Sequence, residues 1–183
     1  MARRSRRDRG FSLIELLMVV ALIGTFAAIA MPVMQDVSAN IKLGEAARLV
    51  ERELQTARLK AVSTNRALRV RPNCPASGYI RTVEVLGTAV LDASADRCNQ
   101  TTYPFPAADQ DVITRPNFDG PVRVIPNEAT VSTATLEFRP DGTALEVVSG
   151  ASQAIATPLT ITITRQGKSK SVTINGAGKI QLQ

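Results

Sequence analysis

The sequence predicts an α+β protein, one long N-terminal helix followed by an antiparallel β-rich head. Three observations predict it. Residues Leu16 to Gln35 carry no charge, and a helix of about 20 such residues spans the ~30 Å hydrocarbon core of a bilayer. An apolar stripe at three- and four-residue steps follows. Beyond residue 65, short alternating runs are separated by turn residues. The expected divisions are a basic leader over 1–10, a membrane helix over 11–34, an amphipathic helix over 35–65 and one head domain over 66–183.

The leader carries Arg3, Arg4, Arg6, Arg7 and Arg9 against one acid, Asp8. The positive-inside rule then keeps the N-terminus in the cytoplasm and puts everything after the span outside the inner membrane. Most of the chain's basic character sits in this stretch. Taking five basic and one acidic residue from 22 and 16 leaves 17 against 15, a net +2 instead of +6. Without its first ten residues the chain is therefore not basic enough for its charge alone to argue for nucleic acid.

Glu15 lies inside the greasy segment, five residues after Gly10. A carboxylate near the end of a hydrophobic helix costs a few kcal/mol, so it marks a functional site. Plainer readings explain less. A secretory signal cut after Ala28-Ile29-Ala30 would have a shorter, uninterrupted apolar region. An ordinary membrane anchor explains the length of the run but not Glu15. A carboxylate turned to the water interface is compatible with a later role.

After Pro32, where the helix can bend, Leu43, Ala46, Ala47, Val50, Leu54, Ala57 and Ala61 form one apolar stripe. Lys42, Glu45, Arg48, Glu51, Arg52 and Glu53 stand between them. This is a helix that packs on a sheet and runs to about Thr64, with Asn65 near its end. Strands are expected at Leu68 to Arg71, Tyr79 to Leu86, Val122 to Ile125 and Ala134 to Phe138. Four more are expected at Ala144 to Val148, Leu159 to Thr164, Ser171 to Asn175 and Lys179 to Leu182. Leu159 to Thr164 alternates most cleanly. Turns fall at Pro140-Asp141-Gly142, Arg165-Gln166-Gly167-Lys168 and Asn175-Gly176-Ala177-Gly178. The stretch from Leu91 to Pro121 reads as a long loop with a short strand at Asp111 to Thr114.

The N-terminus resembles the class III signal of type IV pilins and pseudopilins. Gly10-Phe11-Ser12-Leu13-Ile14-Glu15 fits that signal without a gap, and Pro32 also matches. The resemblance implies cleavage after Gly10 by a prepilin peptidase and N-methylation of the new first residue, Phe11. It implies that Glu15 serves assembly with other major and minor pilins or pseudopilins on an inner-membrane platform. Further features are similar to the group of H-type minor pseudopilins of type II secretion and FimT-like minor type IV pilins. These are Ala57-Arg58-Leu59-Lys60-Ala61-Val62 with Asn65-Arg66, Phe138-Arg139-Pro140-Asp141-Gly142, and the closing hairpin with Gly178-Lys179-Ile180. That similarity implies a head of two antiparallel sheets packed on the helix.

The implied protein is single-pass in a bacterial inner membrane, with a periplasmic head, and is part of a filament tip. In an oxidising periplasm Cys74 and Cys98 are expected to pair, which is worth roughly 3 kcal/mol in the chain-entropy model. Two separate thiols are the alternative. The sequence has no histidine, no Walker loop, no Gly-x-Ser-x-Gly elbow and no metal-ligand cluster. It is read as neither an enzyme nor a holder of any cofactor or metal.

Two other functions compete. One is a DNA-binding uptake pilin, carried by Arg165, Lys168, Lys170 and Lys179. DNA-binding members resemble one another in a Gly-Arg-x-Arg tail, whereas this chain has Gly178-Lys179-Ile180-Gln181. So few phosphate contacts would bind weakly, and lysines at a hairpin edge also discourage edge-to-edge pairing. The other is an exported periplasmic β protein with no filament role.

Overall fold

The computed structural model describes residues 12–87, 95–98 and 118–183. The chain divides into two units, Met1–Ser38 and Ala39–Gln183. Helix α1 (Leu13–Thr64) includes Pro32. It ends as the sequence predicts, and the ending has a physical cause. Asn65 takes the left-handed conformation at φ 52°. The Arg66 amide then donates to the Ala61 carbonyl at 3.2 Å and the Asn65 amide to Val62 at 3.4 Å. This is a Schellman closure with asparagine in the place usually held by glycine.

In the second unit, ten strands follow the helix among the described residues. They are β1 (Leu68–Pro72), β2 (Tyr79–Glu84), β3 (Val122–Val124), β4 (Thr130–Val131), β5 (Thr135–Phe138), β6 (Ala144–Val148), β7 (Ala151–Ala154), β8 (Leu159–Arg165), β9 (Lys168–Ile174) and β10 (Ile180–Leu182). They make two antiparallel sheets, ordered β3-β2-β1-β5-β6-β7 and β10-β9-β8-β4. The eight predicted strands are all present. The loop expected over Leu91 to Pro121 and its strand at Asp111 to Thr114 fall largely outside the described residues; within that stretch a 3-10 turn spans Ala95–Cys98.

Register decides which face of each strand is inside. Val70 pairs with Leu136, Leu68 with Phe138 and Pro72 with Ile80, so these share one face of the larger sheet. In the smaller sheet Ile161 pairs with Val172, and Val131 with Ile163. Both faces close on the helix stripe Leu43, Ala46, Ala47, Val50, Leu54, Ala57 and Ala61, all buried in one core. Each large aliphatic side chain buried there contributes about 1.5–3 kcal/mol. The alanines let the sheets approach the helix closely.

The opposite face of the larger sheet is polar yet covered. Arg69, Arg81 and Glu137 are buried there beside Val83 and Leu145. The Arg69 Nε donates to Glu137 Oε2 at 2.9 Å, and the Ser152 hydroxyl donates to the same oxygen at 2.5 Å. The Arg81 Nε donates to the Gly120 carbonyl at 3.2 Å. Asp119 lies 3.4 Å from the Arg81 guanidinium and pairs with Arg97. Burial, then the charges of Arg97 and Arg69, lower the pKa of Arg71, while Asp119 pulls the other way.

Candidate assembly site

Of the residues the sequence singles out at the N-terminus, Gly10 and Phe11 lie outside the described residues. Glu15 occupies the first turn of α1. The Glu15 and Leu16 amides donate to the Ser12 carbonyl at 3.0 and 3.1 Å. Ser12 and Glu15 thus stand at the N-cap and third helical positions, the spacing of a capping box. The sequence carried this signal, Ser-x-x-Glu, beside the functional one. A carboxylate in the first turn also complements the positive end of the helix dipole.

Along Ser12 to Ser38 every residue is exposed. Leu13 is 77% exposed, Phe26 70% and Ile29 70%, so this unit supplies no apolar cover for them. The helix is long and apolar enough to cross a membrane. An apolar surface of this extent far exceeds the few hundred Å² a soluble monomer tolerates. Such a surface calls for an apolar environment. Between Leu13 and Gln35 Glu15 is the single charge, so the surface is apolar throughout with one anion at its N-terminal end.

In the head, three separated sequence signatures meet at one side chain. The Arg58 Nε donates to the Gly142 carbonyl at 3.0 Å, and its Nη2 donates to Ala177 at 3.3 Å. The Ala144 amide donates to the Gly176 carbonyl at 3.0 Å. Helix end, Pro140-Asp141-Gly142 turn and Gly176–Gly178 turn are clasped together. The spacing of these motifs along the chain gives no hint of the contact, because it joins residues 84 and 119 apart in sequence.

Asp141 holds the middle piece of the clasp. Its Oδ1 accepts from the Thr143 amide at 2.9 Å and the Thr143 hydroxyl at 2.6 Å. These bonds hold its pKa below the ordinary 3.8. A depressed carboxylate stabilises the fold above its unfolded pKa, and that contribution is lost as pH falls through the folded value. Wild-type melting temperature should therefore drop at the acid end, below the ordinary aspartate range. In Asp141→Asn that component of the acid-limb slope should be missing. Thermal melts of both proteins against pH check this; superposable profiles would remove Asp141 as the cause.

Cys74 and Cys98 are joined in a disulfide with their Cα atoms 5.1 Å apart. The bond ties the segment just after β1 to the 3-10 turn that carries Arg97. The four basic residues considered for DNA do not form one patch. Arg165 pairs with Lys168 across the β8–β9 hairpin, and Lys170 lies opposite Ile163. Lys179 stands at the other end of the same sheet, beside the Asn175 turn. Ile174, the partner of Ile180, is six residues along β9 from Lys168, about 20 Å at the usual strand rise. The Arg165 Nε is moreover engaged by the Asn127 carbonyl at 2.6 Å. Among the described residues no cluster of three or more His, Cys, Asp or Glu side chains could hold a metal ion.

Comparison with known proteins adds to this geometry. Residues 46–178 match the profile of the family described as type II transport protein GspH. Residues 5–31 match the prokaryotic N-terminal methylation motif. Among curated proteins, a fimbrial protein of Moraxella nonliquefaciens is 47% identical over 59 residues, which is 32% of this chain and 35% of that protein. The type IV major pilin protein PilE1 of Neisseria gonorrhoeae is 46% identical over 44 residues, 24% of this chain and 27% of that protein. The match thus spans about a third or less of these relatives' length. Among solved structures, the type IV minor pilin FimU of Pseudomonas aeruginosa has a TM-score of 0.48 at 22% identity, covering 79% of this chain and 90% of that one. The minor pseudopilin EpsH of the Vibrio cholerae type 2 secretion system has a TM-score of 0.45 at 13% identity, covering 78% and 96%. These matches give the DNA-binding alternative no support.

Proposed function

This chain belongs to the GspH family of minor pilins and pseudopilins, and on that premise we propose that it is a filament subunit released by a prepilin peptidase and assembled through its N-terminal helix. The filament is that of a type II secretion system or a type IV pilus. The observation that carries the reading is the Leu13 to Gln35 stretch of α1, exposed along its whole length and uncharged except for one anion, Glu15, in its first turn.

Cleavage after Gly10 removes the five arginines that hold the N-terminus at the cytoplasmic face. It also leaves an α-amine on Phe11, which the peptidase N-methylates. During assembly the Glu15 carboxylate pairs with the amine of a neighbouring subunit. Among packed apolar helices, either charge left alone would cost several kcal/mol, so the pair fixes register. The helices form the filament core, and the heads face outward in the periplasm. The chain is a substrate of the peptidase and performs no reaction of its own.

Intact mass and N-terminal peptide mass of the protein from its native membrane test this directly. The expected mature chain begins at N-methylated Phe11. A start at Met31 would make it an exported soluble protein, and an uncut chain would make it a simple anchored one; either overturns the proposal. In the same experiment Glu15→Val should be cut normally yet recruited to filaments at least tenfold less, read as its share of sheared filament protein. Recruitment at the wild-type level would remove the charge-pair mechanism.

A further inference from the structure

A second feature of the head, independent of Glu15, lies where the head begins. A shallow groove on the first turns of α1 within the second unit is lined by Asn40, Ile41, Gly44, Glu45, Arg48 and Lys170. Lys170 comes from β9, and its ammonium lies 3.7 Å from where a Cβ on Gly44 would sit. The strand lysine thus reaches the helix surface at Gly44. Lys42 stands exposed one turn before Ala46.

The charges in this groove are unbalanced for a definite reason. Its one carboxylate, Glu45, accepts from the Asn127 Nδ2 at 3.1 Å, and the same amide donates to the Lys42 carbonyl at 3.2 Å. Asn127 is itself held by Arg165. Glu45 is thereby drawn into fastening the helix to the 126–128 turn. Arg48 and Lys170 remain in the groove as two cations against this one anion, with Lys42 exposed on the same turns of the helix. Ile41 adds a 58% exposed aliphatic side chain at the rim.

We propose that this groove binds the phosphate of an anionic phospholipid in the periplasmic leaflet of the inner membrane, holding the head against the bilayer until the subunit is extracted. The inference rests on the membrane-helix reading above. Charge complementarity and position choose lipid as the occupant. Lys42 follows Gln35, the last residue of the uncharged run, by seven residues, about 10 Å along α1 at the helical rise, comparable to the Debye length at physiological salt. Anionic headgroups attract such juxtamembrane cations, each contributing about fivefold in affinity near the surface and losing that effect within a Debye length. The aliphatic rim beside the cations suits a molecule with a charged head and an apolar body.

Hydrogen exchange on the full chain in lipid nanodiscs tests it. One set of discs is phosphatidylcholine alone, and the other contains about a third phosphatidylglycerol. Amides of 40–48 and 168–171 should exchange about fivefold or more slowly in the anionic discs. The protection should vanish in about 0.5 M salt and in the triple variant Lys42→Gln, Arg48→Gln, Lys170→Gln. Amides of β5 should stay unchanged throughout, which separates lost binding from lost folding. Equal exchange in the two discs overturns the proposal. Protection by inorganic phosphate in zwitterionic discs makes the groove a plain anion site, and protection that rises with protein density in those discs makes it a contact for a second copy; either overturns the lipid assignment. A chain that fails to enter discs at all overturns the membrane reading, and the groove's role with it.

Discussion

Asp119→Ala is expected to destabilise the head by about 3–5 kcal/mol, the usual cost of removing one partner from a buried ion pair. Asp119 is 2% exposed, and Arg81 and Arg97 are each 1% exposed. Its carboxylate contacts both guanidiniums and also accepts from the Glu84 amide at 2.6 Å. Arg81 donates in turn to the Gly120 carbonyl and to the Arg97 carbonyl. Alanine would leave two guanidiniums in a desolvated layer without their shared anion, and a backbone donor without its acceptor. For a head of this size the loss corresponds to a fall in melting temperature of roughly 10–15 °C. Asp119→Asn keeps one acceptor oxygen but no charge, so it should fall between the two. Chemical denaturation of the full chain in detergent, followed by circular dichroism, provides the measurement. A loss below about 1 kcal/mol would mean that this network behaves as a solvated surface pair.

The Asp119 network also shows where the sequence stops being legible. In Leu68-Arg69-Val70-Arg71 alternation correctly separates the two faces of β1. It also suggests that the arginine face meets water, because a charged face is the ordinary sign of a solvated one. Here the carboxylates that answer those arginines come from far along the chain. Glu137 is 68 residues from Arg69, and Asp119, whose charge acts on Arg71, stands beyond β2 in the chain. No period or local spacing reveals such partners.

The apolar stripe of α1 was legible residue by residue, since burial of one helix face needs only the 3.6-residue repeat. Two strands escaped for local reasons. β7, Ala-Ser-Gln-Ala, has no β-branched or aromatic residue. Its pairing with β6 is set by a tight turn at Ser149 and Gly150, both at positive φ. β4 has two residues and is a strand only because Val131 lies opposite Ile163. The N-terminal motif was legible because its chemistry is local: a carboxylate in an apolar helix stands out against its neighbours. The Arg58 clasp was visible only as three separate likenesses to a family until the fold brought them together.

That clasp leads to the second large effect, expected for Gly178→Ala. Gly178 is buried and has φ +74°, and a Cβ there would lie 2.2 Å from the Gly142 carbonyl oxygen and 2.7 Å from the Arg58 Nε. Two penalties are combined. An L-residue in this conformation costs about 1 kcal/mol, and the overlap with a backbone oxygen forces one turn to move, at typically 1–3 kcal/mol. Gly167→Ala separates them. Gly167 has φ +75° but nothing within 4 Å of the added carbon, so it should show the conformational cost alone. Gly178→Ala should therefore lose about 3 kcal/mol and Gly167→Ala about 1. Near-equal losses would show that the clasp yields without strain. Arg58→Ala combined with Gly178→Ala refines the test. Removing the arginine clears its guanidinium from the site but leaves the Gly142 oxygen in place, so the double variant should remain destabilised while losing less than the sum of the two single changes. The damage should be confined to the anchoring of β10 and the Gly142 turn, because the strained contacts meet α1 near its C-terminal end, at Arg58. Leader cleavage should then proceed normally in a chain whose head is loosened, which distinguishes a residue that holds the head together from one, like Glu15, that serves the filament.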